Sequence, residues 1–423
     1  GVLNHIYTCE SGLQAEKSKA AVCATYTQER YFEPGPALDF IWYPWSPSIR
    51  SRGSRSVLHG TAWAQRVIWN HQHPESCHNA KFLMLLQHGS GIGSNLNILA
   101  HALALAMHLG RILVLGNLSQ DPRMIWYDSA YCKGAISWEC WLEVLSSCSS
   151  HGDVVKVNTY EIRTGFFRQI PHVEKFTYRD VPWMFRDLLQ RCSPVKPNMW
   201  FYWFRAQAMT YILRFNRRTR QSLDHLRKQL LHVHSAGGAA MQKASSLPVG
   251  TIAIHVRHGD KSIEVGLLPF EQYRAEAERL AGGDQNMRVI HPRFLNSEFE
   301  GSNQTFRYPP SDFAGRSMFV STEDQLVIDQ AVRLTRESRP WSVAHTLANR
   351  PNLPVSAQLD QNGVVKEVLE SFLNLELALE AQAWVCTLTS NWCQLIDELR
   401  MTVAAKASSP YINLRNHDKY LLW

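Results

Sequence analysis

The pattern of apolar and polar positions first becomes regular at Lys81. A continuous apolar run of strand length, KFLMLLQ, precedes a glycine loop, HGSGIGSN, and a helical pattern, LNILAHALALAMHLG. A second buried run, RILVLG, follows this helix. Strand, tight loop, helix and strand in this order predict a βαβ unit, with the loop at the carboxyl end of its first strand.

The same order of elements recurs after Gly250. GTIAIHV and SMFVS are runs of strand length, and TED supplies an N-cap and an acidic first turn for the helical pattern QLVIDQAVRLTR. AWVCTLTS followed by NWCQLIDELRMT repeats the arrangement. The fold class predicted is therefore α/β, with two Rossmann-like halves and a ligand cleft between the ends of their parallel strands.

The remaining segments divide the chain into three parts. Proline, glycine and serine punctuate the first 60 or so residues, which predicts an irregular N-terminal arm over 1–75, with a short amphipathic helix at TAWAQRVIWNHQ. An N-terminal α/β domain over 76–248 and a C-terminal donor-binding domain over 249–423 follow. WFRAQAMTYILRFNRRTRQSLDHLRKQLLHVHS is interpreted as a solvated basic helical face, and the turn-rich insertion before SMFVS as functional or disordered.

Composition narrows the function classes. With 45% hydrophobic and 19% charged residues over 423 positions, the chain has enough apolar residues for two globular cores. Its 44 basic against 37 acidic residues are spread along the chain, which favours a phosphate site and no nucleic-acid partner. His101, His108 and Arg111 interrupt the most apolar stretch, so it is not predicted to span a membrane. Any membrane anchor is expected in a segment trimmed from the N-terminus.

Cysteine usage indicates an oxidising compartment. The nine cysteines include no CxxC pair and no cluster with zinc spacing, so disulfides are expected, with one thiol left over by parity. N-x-S/T triplets at Asn117 and Asn303 agree with a secretory route. No D-x-D triplet is present to hold a divalent ion, so the predicted chemistry requires no metal.

The glycine loop is the first candidate for phosphate binding. Gly89, Gly91 and Gly93 permit a close approach to the backbone, and the following helix presents free N–H groups. The loop also fits the turn of a dinucleotide-binding dehydrogenase, but RILVLGNLS lacks the acidic residue that such a site needs. No Gly-Lys-Ser/Thr follows, which excludes a P-loop.

The second candidate is the end of the strand in GTIAIHVRHGDKSIE. Arg257 supplies a planar cationic fork suited to a diphosphate, and His255 lies two residues earlier on the same strand face. Asp260 is expected to orient Arg257 or Lys261, and Glu264 to act as a general base. An ion-pair network that merely closes the strand end is the alternative.

HVRHGDKSIEVGLLPFEQY closely resembles the H-V-R-R-x-D-K motif of the core α1,6-fucosyltransferases of N-glycans, and more distantly the Nod-factor and protein O-fucosyltransferases. The resemblance runs from about Cys77 to Ser409 through CHNAKFLMLLQHGSGIGSN, WFRAQAMTYILR, MFVSTEDQ and AWVCTLTSNWCQLIDELR. It implies a GT-B-like enzyme that transfers fucose from GDP-fucose to a glycan hydroxyl with inversion and without a metal or other cofactor. The acceptor implied is the core GlcNAc of a glycoprotein N-glycan, in the Golgi lumen.

The resemblance also assigns roles to individual residues. Arg257 matches the diphosphate-binding arginine, His255 the histidine beside guanine, and Lys261 and Glu264 the lysine and the base, with Glu264 one residue nearer the lysine than in the family. Further donor-side positions are His258, Asn95, Asn374 and Ser390, and acceptor-side or active-site positions are Tyr273, Glu323 and Asp324. A Cys386–Cys393 disulfide is implied, Cys77–Cys148 and Cys132–Cys140 are further predicted pairs, and Cys9, Cys23 and Cys192 stay unassigned.

The sequence departs from the family in three ways. His258 replaces the second arginine of the motif, and Asn374 stands where the family has an aspartate that accepts guanine N–H bonds. The family's C-terminal SH3-like domain and N-terminal coiled coil have no counterpart. Two alternatives therefore stay open: the same fold with another nucleotide sugar or acceptor, such as a protein or a chito-oligosaccharide, and a non-catalytic glycan-binding pseudoenzyme.

Overall fold

A computed structural model describes residues 23, 45–51, 56–86, 89–116, 126–135, 138–167, 170, 180–193, 195–238, 241–258, 266–284, 310–350, 353 and 355–415. The strands of these segments are β1 Phe82–Leu86, β2 Ile112–Leu115, β3 Val154–Asn158, β4 Leu231–His234, β5 Gln242–Lys243, β6 Thr251–Val256, β7 Ser317–Thr322, β8 Ser342–Thr346, β9 Ala383–Cys386 and β10 Tyr411–Asn413. Their α-helices are α1 Ser48–Ser51, α2 Thr61–Gln72, α3 Ile92–His108, α4 Ser129–Cys132, α5 Thr159–Thr164, α6 Trp183–Asp187, α7 Trp200–Ile212, α8 Arg217–Leu230, α9 Phe270–Ala281, α10 Gln325–Arg333, α11 Val355–Asn362, α12 Val364–Glu380 and α13 Asn391–Met401.

The first sheet is parallel and has the strand order β2-β1-β3. Leu83 of the central strand is opposite both Leu113 and Val155. Helix α3 connects β1 to β2, and its side chains are buried on nearly every side, which explains its almost unbroken apolar sequence. This is the βαβ unit that the sequence predicts.

The second sheet has the order β10-β9-β6-β7-β8-β4-β5. Strands β10, β9, β6, β7 and β8 are parallel, whereas β4 pairs antiparallel with β8 and with β5. Strand β6, whose end carries the motif of Arg257, lies at the centre of the parallel part. The predicted α/β class is confirmed, with one parallel sheet and one sheet that is parallel except for β4 and β5.

The helical segment before β6 is more deeply buried than the sequence predicts. Helix α7 was expected to expose a basic face, but all of its residues from Phe201 to Ile212 are buried. It packs against α3 of the first half and α13 of the second half. Only α8, which follows it, is amphipathic and partly solvated. Strands β4 and β5 come before residue 249 in the chain but belong to the second sheet. The domain boundary at residues 248/249 stays a prediction, and these two strands lie on the C-terminal side of it in space.

Buried polar contacts join the two halves where α7 meets α13. The carboxylate of Glu398 accepts a hydrogen bond from Nε of Arg205. One turn away, the hydroxyl of Tyr202 donates to Asp397 at 2.8 Å, and Arg400 donates to the same carboxylate at 2.6 Å. The main apolar core continues through this interface and contains residues of β1, α3, α7, α12 and α13.

Four disulfides are present in the described residues. Cys77–Cys148, Cys132–Cys140 and Cys386–Cys393 are the three pairs that the sequence analysis names. The fourth, Cys23–Cys192, joins the N-terminal arm to the end of a helical turn 169 residues away and was not predicted. Cys9, Asn117 and Asn303 lie outside the described residues. Within the described part of the chain, no helix has the length and apolarity that a bilayer crossing requires.

Candidate active site

The candidate site lies at the carboxyl edge of the second sheet, where β9, β6, β7 and β8 all end. Arg257 follows β6, Glu323 follows β7, and Ser390 stands at the start of α13, shortly after β9. The parallel register opposes His255 to Ser321 and so fixes a constant offset of 66 residues between the ends of β6 and β7. Three pairs of side chains meet at this offset because parallel strands bring their carboxyl ends to one edge.

The guanidinium of Arg257 bonds to groups of the protein itself. Its Nη1 donates to a carboxylate oxygen of Glu323, and to the carbonyl of His258 at 3.0 Å. The side chain of Arg257 is 24% exposed and that of Glu323 is 15% exposed. The pair is therefore formed at the boundary between protein and solvent, where an anionic ligand is able to compete with the carboxylate.

Both ring nitrogens of His258 contact acceptors of the protein. Its Nδ1 lies 2.8 Å from Oδ2 of Asp324, and its Nε2 lies 3.1 Å from the carbonyl oxygen of Leu268. Both partners are acceptors, so only the doubly protonated ring satisfies both contacts. Asp324 also caps α10 by accepting from the amide of Leu326 at 2.9 Å. His258 and Asp324 are therefore paired with each other, and their donor-side and active-site roles stay predictions.

His255 lies beneath Arg257 on the same strand. Its Nδ1 is 3.0 Å from the hydroxyl of Ser321, whereas its buried Nε2 has no hydrogen-bond partner in the part of the chain that the structure describes. Burial, with a smaller contribution from the charge of Arg257, lowers the pKa of His255 to about 3. A neutral ring with one unused nitrogen beside a cation suits a polar but uncharged ligand group.

The glycine loop faces the second half directly. A Cβ on Gly93 would approach the backbone nitrogen of Trp392 to 3.2 Å and the carbonyl carbon of Asn391 to 3.3 Å. The first turns of α3 and α13 therefore touch, and Asn97 donates to Asn391 at 3.0 Å across the contact. Gly93 serves this contact, whereas Gly91 has open space around its Cα.

Asn95 holds the glycine loop and does not project into it. Its amide nitrogen donates to the carbonyl of Ser90 at 2.7 Å and to the hydroxyl of Ser90 at 3.0 Å. Asn95 is 1% exposed, whereas Gly89 is exposed to solvent. Among the predicted donor-side residues of this loop, Gly89 and Gly91 are thus open to a ligand, and Asn95 acts on their conformation.

Ser390 and Tyr273 occupy different environments. Ser390 is the N-cap of α13, and its side chain makes no capping hydrogen bond. Tyr273 lies on α9 and is 1% exposed, inside the second apolar core. Burial raises the pKa of Tyr273 to about 12. The ring lies in the core while its hydroxyl bonds Thr387 just after β9, and the acceptor-side position of Tyr273 stays a prediction.

Asn374 is engaged by its own protein. Its Oδ1 accepts from the hydroxyl of Thr346 at 3.0 Å, and its Nδ2 donates to the carbonyl of Glu370 at 2.9 Å. Thr346 ends β8, so Asn374 does lie at the site edge as expected. Its one acceptor oxygen is therefore shared with Thr346, which leaves a single lone pair for a ligand.

Arg350 is a residue of the site that sequence reasoning missed. It donates to the carbonyls of Thr322 at 3.1 Å, Ala348 at 3.1 Å and Thr346 at 2.5 Å, which ties together the ends of β7 and β8. Burial lowers its pKa to about 10. A fixed cation that makes no ion pair with a carboxylate of the described residues adds positive potential to this edge.

Two carboxyl groups of α12 face the same edge and were also missed. Glu367 interacts electrostatically with Glu323, and burial raises its pKa. Glu370 interacts with Arg350, and burial raises its pKa to about 7. Neither position belongs to a sequence motif, and each reaches the site only because α12 packs against β7.

The segment that carries Asp260, Lys261 and Glu264 lies outside the described residues. Over the described segments, no three His, Cys, Asp or Glu side chains form a group that could hold a metal ion. The chemistry that the described side chains offer is electrostatic: two arginines at strand ends, a neutral imidazole, and the N-termini of α3 and α13 across from each other. Such an arrangement suits a diphosphate.

A scan of protein-family models finds no match to this sequence, and no curated protein matches it. Among solved structures, the chain is similar to NodZ α-1,6-fucosyltransferase soaked with GDP-fucose, with 16% identity, 75% of this chain and 92% of that chain covered, and a TM-score of 0.36. Fucosyltransferase NodZ from Bradyrhizobium shows 15% identity, with 75% of this chain and 93% of that chain covered and a TM-score of 0.35. POFUT1 in complex with GDP-fucose shows 11% identity, with 80% of this chain and 98% of that chain covered and a TM-score of 0.36. Scores this low carry no argument, so the function has to be argued from the site and the motif.

Proposed function

We propose that this protein is an inverting, metal-independent glycosyltransferase that moves fucose from GDP-fucose to a glycan hydroxyl. The observation that carries the proposal is the position of Arg257: a partly exposed cation at the end of the central strand, one strand away from the helix N-terminus that the glycine loop contacts. The resemblance of its motif to that of the fucosyltransferases supplies the identity of the donor.

The proposed mechanism follows from these positions. The diphosphate of the donor displaces Glu323 from Arg257 and receives further positive potential from Arg350 and from the helix N-termini near Gly91 and Ser390. The acceptor hydroxyl attacks the anomeric carbon as the bond to the diphosphate oxygen breaks, and its proton passes to Glu264, the base that the motif resemblance implies together with Lys261. The nucleoside diphosphate leaves with the bonding electron pair, stabilised by the cations.

The acceptor proposed is the core GlcNAc of N-glycans, in an α1,6 linkage, and the compartment proposed is the Golgi lumen. The motif supports the acceptor, since it resembles the core α1,6 enzymes more closely than the others. Four disulfides support an oxidising compartment.

The decisive experiment incubates the protein with labelled GDP-fucose and a mixed pool of glycans, glycopeptides and chito-oligosaccharides, followed by mass spectrometry and linkage analysis. We expect one fucose on the core GlcNAc of N-glycans, and no product with Glu264→Gln, because an amide does not accept the proton. Nucleotide binding without any product would favour the pseudoenzyme. Full activity of Glu264→Gln would overturn the assignment of the base.

A second donor is the alternative that one observation favours. The acceptor oxygen of Asn374 already accepts from Thr346, so the position at which the family reads guanine with a two-oxygen carboxylate offers one lone pair of an amide oxygen. The same enzyme acting on another nucleotide sugar is consistent with that geometry. Measuring nucleotide release from GDP-fucose, other GDP-sugars and UDP-sugars separates the two, since release from a UDP-sugar alone would replace GDP-fucose as the donor.

A further inference from the structure

Tyr160 and Phe166 are two large aromatic side chains that the fold leaves in solvent. Tyr160 is 66% exposed and Phe166 is 68% exposed, whereas the next residue, Phe167, packs against the main apolar core. An aromatic ring in water loses the favourable free energy that burial of the same ring provides. Two such rings close together in the chain indicate an interaction surface, because exposed apolar groups that lie together mark such surfaces.

The segment that carries the two rings has a defined conformation. The hydroxyl of Thr164 donates to the carbonyl of Tyr160 at 2.9 Å and accepts from the amide of Phe166 at 3.3 Å. At the start of α5, Asn158 and Glu161 form a capping box, which fixes the direction of the helix directly after β3. A ligand that binds the two rings therefore does not have to order the backbone that presents them.

The surface adjoins the glycine loop. Tyr160, Arg163 and Thr164 are exposed and share one side of α5, since helical positions three and four apart lie above one another. Nη2 of Arg163 donates to the hydroxyl of Ser94, in the first turn of α3, at 3.4 Å. Ser94 directly follows Gly93, which touches α13 of the second half. The exposed side of α5 is therefore continuous with the first-half wall of the cleft.

We propose that Tyr160 and Phe166 form the subsite on which the glycan acceptor lies, and that they stack against the apolar faces of its pyranose rings. This inference rests on the proposed function and deepens it, because it states where that site holds its acceptor. A β-linked GlcNAc ring presents axial C–H groups on both faces, and an aromatic face attracts such partly positive hydrogens. The exposed guanidinium of Arg163, between the two rings in the chain, supplies N–H donors for sugar hydroxyls.

An oligosaccharide fits this surface better than a protein partner does. Two aromatic side chains supply roughly 300–500 Å² of area, whereas a stable protein interface buries about 800 Å² on each partner. The other exposed positions on this side of α5, Arg163 and Thr164, are polar. Aromatic rings with polar groups between them match a ligand in which C–H faces alternate with hydroxyl groups.

The first test is steady-state transfer from labelled GDP-fucose to a free N-glycan that carries the core GlcNAc. We expect Tyr160→Ala and Phe166→Ala each to raise the KM for the glycan about 3- to 10-fold, the size of one aromatic contact. The kcat and the KM for GDP-fucose should stay at their wild-type values, because the proposed donor contacts lie on the glycine loop and the second sheet. Tyr160→Phe keeps the flat ring and should match the wild-type protein, whereas Tyr160→Leu should not.

Trp183→Ala is the matched control. Trp183 is 61% exposed and begins α6. Helix α6 lies near the C-terminal end of α3, since the charge of Arg186 acts on His108. Helix α3 has 17 residues, so its two ends are about 25 Å apart. The control removes an equally exposed aromatic ring far from the cleft, and it should leave the KM for the glycan unchanged.

A second measurement does not depend on turnover: saturation-transfer NMR of the same free N-glycan with the GDP-loaded protein. We expect a signal that Tyr160→Ala and Phe166→Ala reduce and Trp183→Ala preserves. Glycan binding that depends on the two rings, without any transfer of fucose, would overturn the proposed function and leave the inference standing. Transfer whose glycan KM is the same in all three variants as in the wild-type protein would overturn the inference alone. A wild-type protein that neither binds nor fucosylates the glycan overturns both.

The surface has one other possible occupant, a second copy of the chain. Analytical ultracentrifugation of the wild-type protein and of the Tyr160→Ala and Phe166→Ala variants tests it. We expect the same oligomeric state for all three proteins. A wild-type dimer that both variants convert to monomers, with no change in the KM for the glycan, would assign the surface to the second copy and overturn the inference.

Discussion

The protein forms two kinds of arginine–carboxylate pair, and they differ in their access to solvent. At the interface of α7 and α13, the side chains of Arg205 and Glu398 are each 1% exposed. At the edge of the second sheet, Arg257 is 24% and Glu323 15% exposed. The buried pair stays closed in the folded protein, whereas the edge pair is open to exchange of its carboxylate for a ligand anion.

The buried pair also shows how strongly burial opposes charge. Burial raises the pKa of Glu398 to about 7 even though Arg205 contacts it. Two nitrogens of the Arg205 guanidinium have no hydrogen-bond partner in the described residues. An arginine keeps its proton under all ordinary conditions, so the two members of this pair do not respond equally when one is removed.

The largest expected effect is therefore that of Glu398→Ala. It leaves the cation of Arg205 buried without a counter-ion, and loss of one partner of a buried pair costs about 3–5 kcal/mol. Arg205→Met should cost less, because Glu398 is then neutralised by a proton. Urea unfolding at pH 7 measures both. Equal losses for Glu398→Ala and the edge variant Glu323→Ala would remove the distinction between the two pairs.

Loss of the edge pair of Arg257 and Glu323 should affect ligand binding strongly and protein stability only weakly. We expect Arg257→Ala to change the free energy of unfolding by less than about 1 kcal/mol, since partly exposed pairs contribute little. Its affinity for pyrophosphate and GDP should fall about 10- to 100-fold, which corresponds to a lost charged hydrogen bond or two. Arg257→Lys should recover part of this loss, because it keeps the charge but not the fork. Near-normal GDP affinity of Arg257→Ala would refute the phosphate role.

The sequence predicts the features that depend on residues close in the chain and misses those that depend on distant ones. Strands β6, β7 and β9 and the cap of α10 by Asp324 depend on neighbours close in the chain, and periodicity and capping residues predict them. Helix α7 was misjudged because its one arginine, Arg205, finds its carboxylate 193 residues away. A cation in a helix ordinarily indicates a solvated face, and only the tertiary fold shows that this one is buried.

The residues of the candidate site likewise fall into those that local sequence predicts and those that only the tertiary fold brings there. Arg257 was predicted from its place at a strand end, which is a local feature. Arg350 and Glu370 were missed because they reach the edge only through the packing of β8 and α12. The pair of His258 with Asp324 has a separation of 66 residues, the same as that of Arg257 with Glu323. A correct alignment of β6 with β7 would have predicted both, but single-sequence patterns do not fix the register between distant strands.

The smallest effect concerns stability at Glu370 and has a direction set by pH. Its pKa is about 7 in the folded protein and near 4.5 ordinarily, so the folded state binds the proton more tightly than the unfolded state. The free energy of unfolding therefore falls as the pH rises from 4.5 to 7, and the loss is complete above 7. Glu370→Gln should be more stable than the wild-type protein at pH 8, by less than about 1 kcal/mol because the carboxyl is partly solvated, and this gain should vanish near pH 4.5. Thermal unfolding at the two pH values measures the difference. A destabilised Glu370→Gln at pH 8 would mean that the carboxylate has a stabilising partner within the protein, and it would contradict the expected direction of the effect.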